Sequence, residues 1–143
     1  MALLKELAKL SQEKARQAAR AHLSERHGDG RAVVSGQALN DVGAALFREE
    51  HGQELVAHEQ ALDSDDLLAG LTLVSDARTE IDFVELQLIA HARARGHVWD
   101  EIAAALGMPD RRQAQTRFRR LRQRWPGYEP PAPQQTRQEE GRS

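Results

Sequence analysis

Between residues 111 and 124 the chain reads RRQAQTRFRRLRQR, seven arginines and no acid, although its formal net charge is −2. A guanidinium fork matches two phosphate oxygens or a guanine edge, and glutamine can pair in the same two-pronged way with adenine. The chemistry open to such a segment is recognition of a polyanion, not bond breaking. Residues 39–86 are its opposite, with twelve acids against only Arg48 and Arg78. Charge separated this sharply along one chain marks one end as electrostatically specialised.

Few other groups could do chemistry. There is no cysteine, which excludes disulfides and thiolate metal sites. His51, Glu54 and His58 would share a face of a continuous helix, but Gly52 interrupts it and the Glu-x-x-His spacing of bundle metal sites is missing. They read as solvated polar residues, and no metal or cofactor is expected. His91 and His97 sit where imidazoles suit the negative end of a helix, and His97 is also a candidate to touch phosphate. DSDD at 63–66 reads as a helix cap and lacks the calcium-loop pattern. No nucleophile elbow or glycine-rich phosphate loop appears, so an enzyme is not expected.

The elements that position the arginines follow from periodicity. Residues 2–26 read as an amphipathic helix with Leu3, Leu7 and Leu10 as a narrow stripe fading into alanines. Three glycines in HGDGRAVVSG break it. Ser35 is placed to cap a second helix to about Glu50, with Leu39, Val42, Leu46 and Phe47 as its apolar face. Gly52 bends or ends that helix, and residues 53–61 look helical again. From DSDD a long helix runs to about Arg95. Its stripe Leu67, Gly70, Val74, Ala77, Ile81, Val84 and Leu88, widened by Leu71, Leu86 and Ile89, is expected to face a core. Gly96 ends it.

Residues 99–106 form a short helix, GMPD a tight turn, and Asp110 caps a last helix to about Trp125, stopped by Pro126. This is the pattern of a helix-turn-helix. Ile102, Ala103 and Leu106 form the inner face of its first member, and Gly107 supplies a left-handed cap. In the second member Ala114, Phe118, Leu121 and Trp125 recur at spacings of 4, 3 and 4 and must pack inward. That fixes the outer face as Arg112, Thr116, Arg119, Arg120 and Gln123, with Gln115 at its edge. Trp99 and Trp125 read as core or hinge residues. Arg111, Arg112, Gln115, Thr116 and Arg119 are assigned to major-groove contacts, and Arg120, Arg122 and Arg124 to phosphates.

Residues 85–121, ELQLIAHARARGHVWDEIAAALGMPDRRQAQTRFRRL, resemble the helix-turn-helix of sigma-factor region 4 and related bacterial regulators. They are more similar still to small bacterial heat-shock-gene transcriptional regulators, which end in a W–IA–ALG–RQA–R–RL pattern. Trp99, Ile102, Ala103, Leu106, Gly107, Arg112, Gln113, Ala114, Arg117 and Leu121 carry the resemblance. It implies DNA binding and a transcriptional or nucleoid role. Val98 departs from it, standing where the pattern places Ser or Thr, and the MPDRR turn is a residue longer. Residues 1–60 resemble nothing familiar.

The reading is thus an all-α protein, a helical bundle with a C-terminal helix-turn-helix. Residues 1–62 form an assembly region, 63–125 the DNA-binding region and 126–143 a disordered tail that holds four of the five prolines. The expected partner is double-stranded DNA, met by a homodimer that pairs through the N-terminal helix and the long helix. The acidic 39–86 surface is free for a protein partner. No run approaches the roughly 18 apolar residues of a membrane span, so a cytoplasmic, nucleoid location is expected. The rival readings are a nucleoid protein of low specificity, a module that binds sigma factor or polymerase, and an RNA binder.

Overall fold

The computed structural model describes residues 2–55 and 60–134. It is all-α: α1 (Ala2–His27), α2 (Ser35–Glu50), α3 (Ser64–Ala94), α4 (Trp99–Ala105) and α5 (Arg111–Arg124), with no strand among the described residues. None of these helices is long and apolar enough to cross a membrane. The chain divides into two compact units, Met1–Glu80 and Ile81–Ser143. The division falls inside α3, not at its start as the composition of the chain suggested.

In the first unit Ala19 and Leu23 of α1 pack on Ala38 and Val42 of α2 and Leu73 of α3. Leu23 and Leu73 are fully buried, each stabilising the fold by roughly 1.5–3 kcal/mol. Charge supplies the rest of the adhesion. Arg20 of α1 reaches Asp76 of α3 at 3.6 Å and Glu13 at 3.1 Å. The Glu80 carboxylate accepts the backbone N–H groups of Ser35 and Gly36 at 2.9 and 2.8 Å. The open N–H groups at the start of α2 are therefore met by an acid of α3, where the sequence suggested Ser35. The residue in the cap position is Val34, and the Ser35 hydroxyl instead donates to Asp76 at 2.6 Å.

α3 begins as DSDD requires. Asp63 and Asp66 each accept the other's backbone N–H, at 2.9 and 3.0 Å, a reciprocal cap. Its burial differs from the expected stripe. Leu73 and Ala77 face inward in the first unit, and Leu86, Ile89 and Ala90 in the second, while Leu67, Leu71, Ile81, Val84 and Leu88 are exposed. In the first unit Asp66, Asp76 and Glu80 interleave with Leu73 and Ala77. Their partners on α1 and α2 draw that flank inward rather than the leucine stripe.

α2 ends at Gly52, which has a φ of 63°. Residues 53–55 and 60–62 are not helical, against expectation, and 56–59 lie outside the described residues. Phe47, expected in the apolar face, is exposed and stacks on His51 at 4.0 Å. Six of the twelve acids of 39–86 are used internally. Asp63, Asp66, Asp76, Glu80, Asp82 and Glu85 all hold partners within the chain. That leaves a much smaller acidic surface than the charge count implied.

The second unit packs Leu86, Ile89, Ile102, Ala103, Ala114 and Leu121 at its centre. Aromatic rings close around them: Phe83 meets Trp125 at 5.3 Å and Tyr128 edge-on at 5.8 Å, and Trp99 meets Phe118 at 5.6 Å. Residues 126–134 are therefore not a loose tail, because Tyr128 is anchored and the Gln134 N–H donates to the Ala94 carbonyl at 2.7 Å. The remainder of the expected tail, 135–143, lies outside the described residues.

Candidate nucleic-acid interface

Two glycines set the path into α4 and α5. Gly96 and Gly107 have φ of 94° and 70°, the left-handed region open to glycine. Each closes the helix before it with paired backbone bonds: His97 N–H to Ala92 O and Gly96 N–H to Arg93 O, then Met108 N–H to Ala103 O and Gly107 N–H to Ala104 O. Val98 has no hydroxyl to accept a helix N–H, and only the reciprocal bond forms, the Glu101 carboxylate accepting the Val98 N–H at 3.1 Å. That N–H, together with the His97 ring at 3.3 Å, holds the Glu101 carboxyl below its ordinary range. His97 thus acts at the start of α4.

α4 presents Ile102 and Ala103, both buried, and Ala103 sits at the contact with α5. Leu106, expected on this inner face, is 37% exposed. Asp110 caps α5 by accepting the Gln113 N–H at 2.9 Å. On α5 the expected inward residues Ala114 and Leu121 are buried, and Phe118 and Trp125 are half-buried on aromatic partners.

With that face fixed, the arginines separate into two groups. Arg117 is tied to α3, donating to Glu85 at 2.6 Å and to Asp82 at 2.9 Å. Glu85 is the main cause of its raised pKa. Arg124 also pairs with Asp82 and lies over the Trp125 ring at 4.6 Å. Arg124, with Arg117, keeps the Asp82 carboxyl below its ordinary range. Arg124, assigned to phosphate, thus also holds a partner within the chain, an Asp82 that it shares with Arg117. Arg111, Arg112, Arg119, Arg120 and Arg122 are exposed and form no ion pair among the described residues. Arg122 lies over the Phe118 ring at 5.9 Å with its charge outward.

Gln115 and Thr116 are half-buried. Shallow hollows flank α5. One is bordered by Arg112, Thr116, Arg117 and Arg120, the other by Gln115, Arg119, Arg122 and Gln123. The site is a convex cationic ridge between two shallow grooves. It contains no paired acid and base that could move a proton.

A second polar cluster went unread in the sequence. Asp66, fully buried, accepts from Arg26 Nε at 2.7 Å, His22 Nε2 at 2.8 Å and His27 Nε2 at 2.9 Å. Burial by itself pushes the Asp66 carboxyl up. Arg26, the Asp63 N–H and His27 more than reverse this and hold it well below the ordinary range. His22, Asp63 and Asp66 bring possible ligand atoms within 4.8 Å of one another. The Arg26 guanidinium already lies against both Asp66 oxygens, so the cluster is an internal ion network whose cation is an arginine. The available signal was the spacing of His22 and Arg26, one helical turn apart. The other metal candidates do not assemble: His51 donates from Nδ1 to the Phe47 carbonyl, Glu54 is exposed, and His58 lies outside the described residues.

No protein-family model matches the chain, and no curated protein and no solved structure matches it.

Proposed function

We propose that this protein binds double-stranded DNA through a helix-turn-helix formed by α4 and α5, as a transcriptional regulator. One observation supports this above the rest. The two arginines on the inner flank of α5 are bound to Asp82 and Glu85, while Arg111, Arg112, Arg119, Arg120 and Arg122 are left exposed on a single helix. A cationic face that served only solubility would have no reason to segregate in this way. In the proposed mode the N-terminal half of α5 enters the major groove, where Arg111, Arg112, Gln115, Thr116 and Arg119 meet base edges. Arg120 and Arg122 meet phosphates. A single motif binds weakly, so the functional species is a homodimer presenting two.

A second reading, a nucleoid protein of low specificity, is favoured by the half-burial of Gln115 and Thr116, which leaves exposed arginine dominant. Substitution separates the two readings. Under the first, Arg112→Ala and Arg119→Ala weaken binding unevenly across duplex sequences, and Arg122→Ala weakens it evenly. Under the second, all three act evenly. Failure to bind any duplex at low salt contradicts both.

A further inference from the structure

The N-terminal end of α1 is a helix with nothing beneath it. Every residue from Leu3 to Gln12 is exposed, and the four leucines among them, Leu3, Leu4, Leu7 and Leu10, are each more than half exposed. A helical segment of this length is marginal in water without an apolar surface to rest on. The same unit carries a groove with no filling. Leu39, Val42 and Leu46 of α2 form one wall and Leu67, Leu71 and Val74 of α3 the other, with Gly70 at its floor. A methyl group placed at Gly70 would meet Leu39 and Val42 at 3.8 Å, so a side chain there would rest on α2 and narrow the groove from below.

We propose that the groove receives the N-terminal end of α1 from a second copy of this chain, each copy giving one helix and accepting one. Three features favour that occupant. The spacing matches: Leu3, Leu7 and Leu10 step by 4 and 3, as do Leu67, Leu71 and Val74, while Leu39, Val42 and Leu46 step by 3 and 4. Each stripe therefore covers two helical turns, about 10 Å, and a third helix of that length fills a two-walled groove. Charge agrees as well. All three lysines of the chain lie at 5, 9 and 14. The mouth of the groove beside Leu46 and Leu67 belongs to helix ends that carry Glu49, Glu50 and Asp65. Finally, no described residue of their own chain covers the leucines at the start of α1, which a second copy would do. The exchange is self-complementary, which closes the assembly at two copies.

This deepens the paired-motif reading by naming the partner, yet its test requires no DNA. Leu7 and Leu71 face water in the single chain, so Leu7→Glu and Leu71→Glu leave its fold intact. Light scattering at tens of micromolar is expected to give a dimer for the natural chain and a monomer for each variant. Mixing the two variants restores a weaker dimer, because one of the two exchanges again pairs an intact helix with an intact groove. A monomeric natural chain, a dimer surviving either change, or a mixture that associates no more than either variant alone as concentration is raised each overturns the proposal. A second measurement does not depend on charge. Because the chain has no cysteine, Leu7→Cys and Leu71→Cys chains can be mixed in equal amounts and oxidised, and the mixed disulfide is expected to exceed either self-linked product by far more than the twofold excess that random pairing gives. An excess of only twofold overturns the proposal. Loss of the dimer leaves binding of single motifs to DNA measurable, so the two readings fail separately.

Discussion

The two units use the same residue types in opposite ways. In Met1–Glu80 the arginines of α1 turn inward: Arg16, Arg20 and Arg26 all bond to acids, and Asp66 is buried among three cationic or imidazole donors. In Ile81–Ser143 only Arg117 and Arg124 are used this way on α5, and five arginines remain outside. Five of the six aromatic residues lie in the second unit, where rings join the ion pairs of Arg117 and Arg124 as the adhesive. The first unit is held by charge and exposes leucine. The second is held by apolar and aromatic packing and exposes charge. An arginine-rich segment stays open on the surface only where the fold does not need its arginines.

The largest effect that would sharpen this contrast is at Asp66. Asp66→Ala leaves Arg26 and His27 facing a cavity and should cost roughly 3–5 kcal/mol, read as earlier loss of helical circular dichroism on heating. Trp99 and Trp125 both belong to the second unit, so their fluorescence transition should move less. Equal shifts would break the contrast. Acid should act in the same direction. The folded Asp66 carboxyl titrates well below its ordinary value of 3.8. The stability it contributes is therefore complete above about pH 4 and lost as pH falls below that. Arg26, His22, His27 and Asp63 surround it. Asp66→Ala should flatten the loss of stability between pH 4 and pH 2, and an unchanged acid profile would contradict the network.

Smaller effects probe the second unit. Ala103→Leu forces α4 and α5 apart and should cost roughly 1–3 kcal/mol, with duplex binding lost alongside it. Arg117→Ala removes a partly exposed ion pair, worth about 1 kcal/mol or less after solvent screening. It should lower the melting temperature slightly and leave duplex affinity almost unchanged. Arg112→Ala and Arg119→Ala should do the reverse, leaving the melting temperature in place and reducing affinity. If Arg117→Ala and Arg112→Ala behaved alike, the division of α5 into bound and open arginines would be wrong.

Much of this was legible in the chain. Helix starts at 63 and 110, the glycine stops at 52, 96 and 107, and the inward set Ala114, Phe118, Leu121 and Trp125 all follow from local chemistry and period. What escaped was tertiary. No local rule tells that Glu80 caps a helix forty-four residues upstream of it. The stripe of α3 satisfied the helical period, yet burial went to the flank whose acids found partners. Tyr128 was hidden in a proline-rich segment that reads as loose until Phe83 is seen beneath it. On α5, composition alone made Arg124 equal to Arg122, and only Asp82 distinguishes them.

The central claim, that five open arginines on α5 meet a DNA backbone and groove, is tested most directly by duplex affinity as a function of salt. With Arg120 and Arg122 each releasing one counterion from a phosphate, log affinity should fall against log salt with a slope of about −1.8 per motif. The slope should become shallower by about 1 in Arg120→Ala and stay unchanged in Arg117→Ala. A slope near zero, or one that Arg117→Ala reduces as much as Arg120→Ala does, would contradict the account.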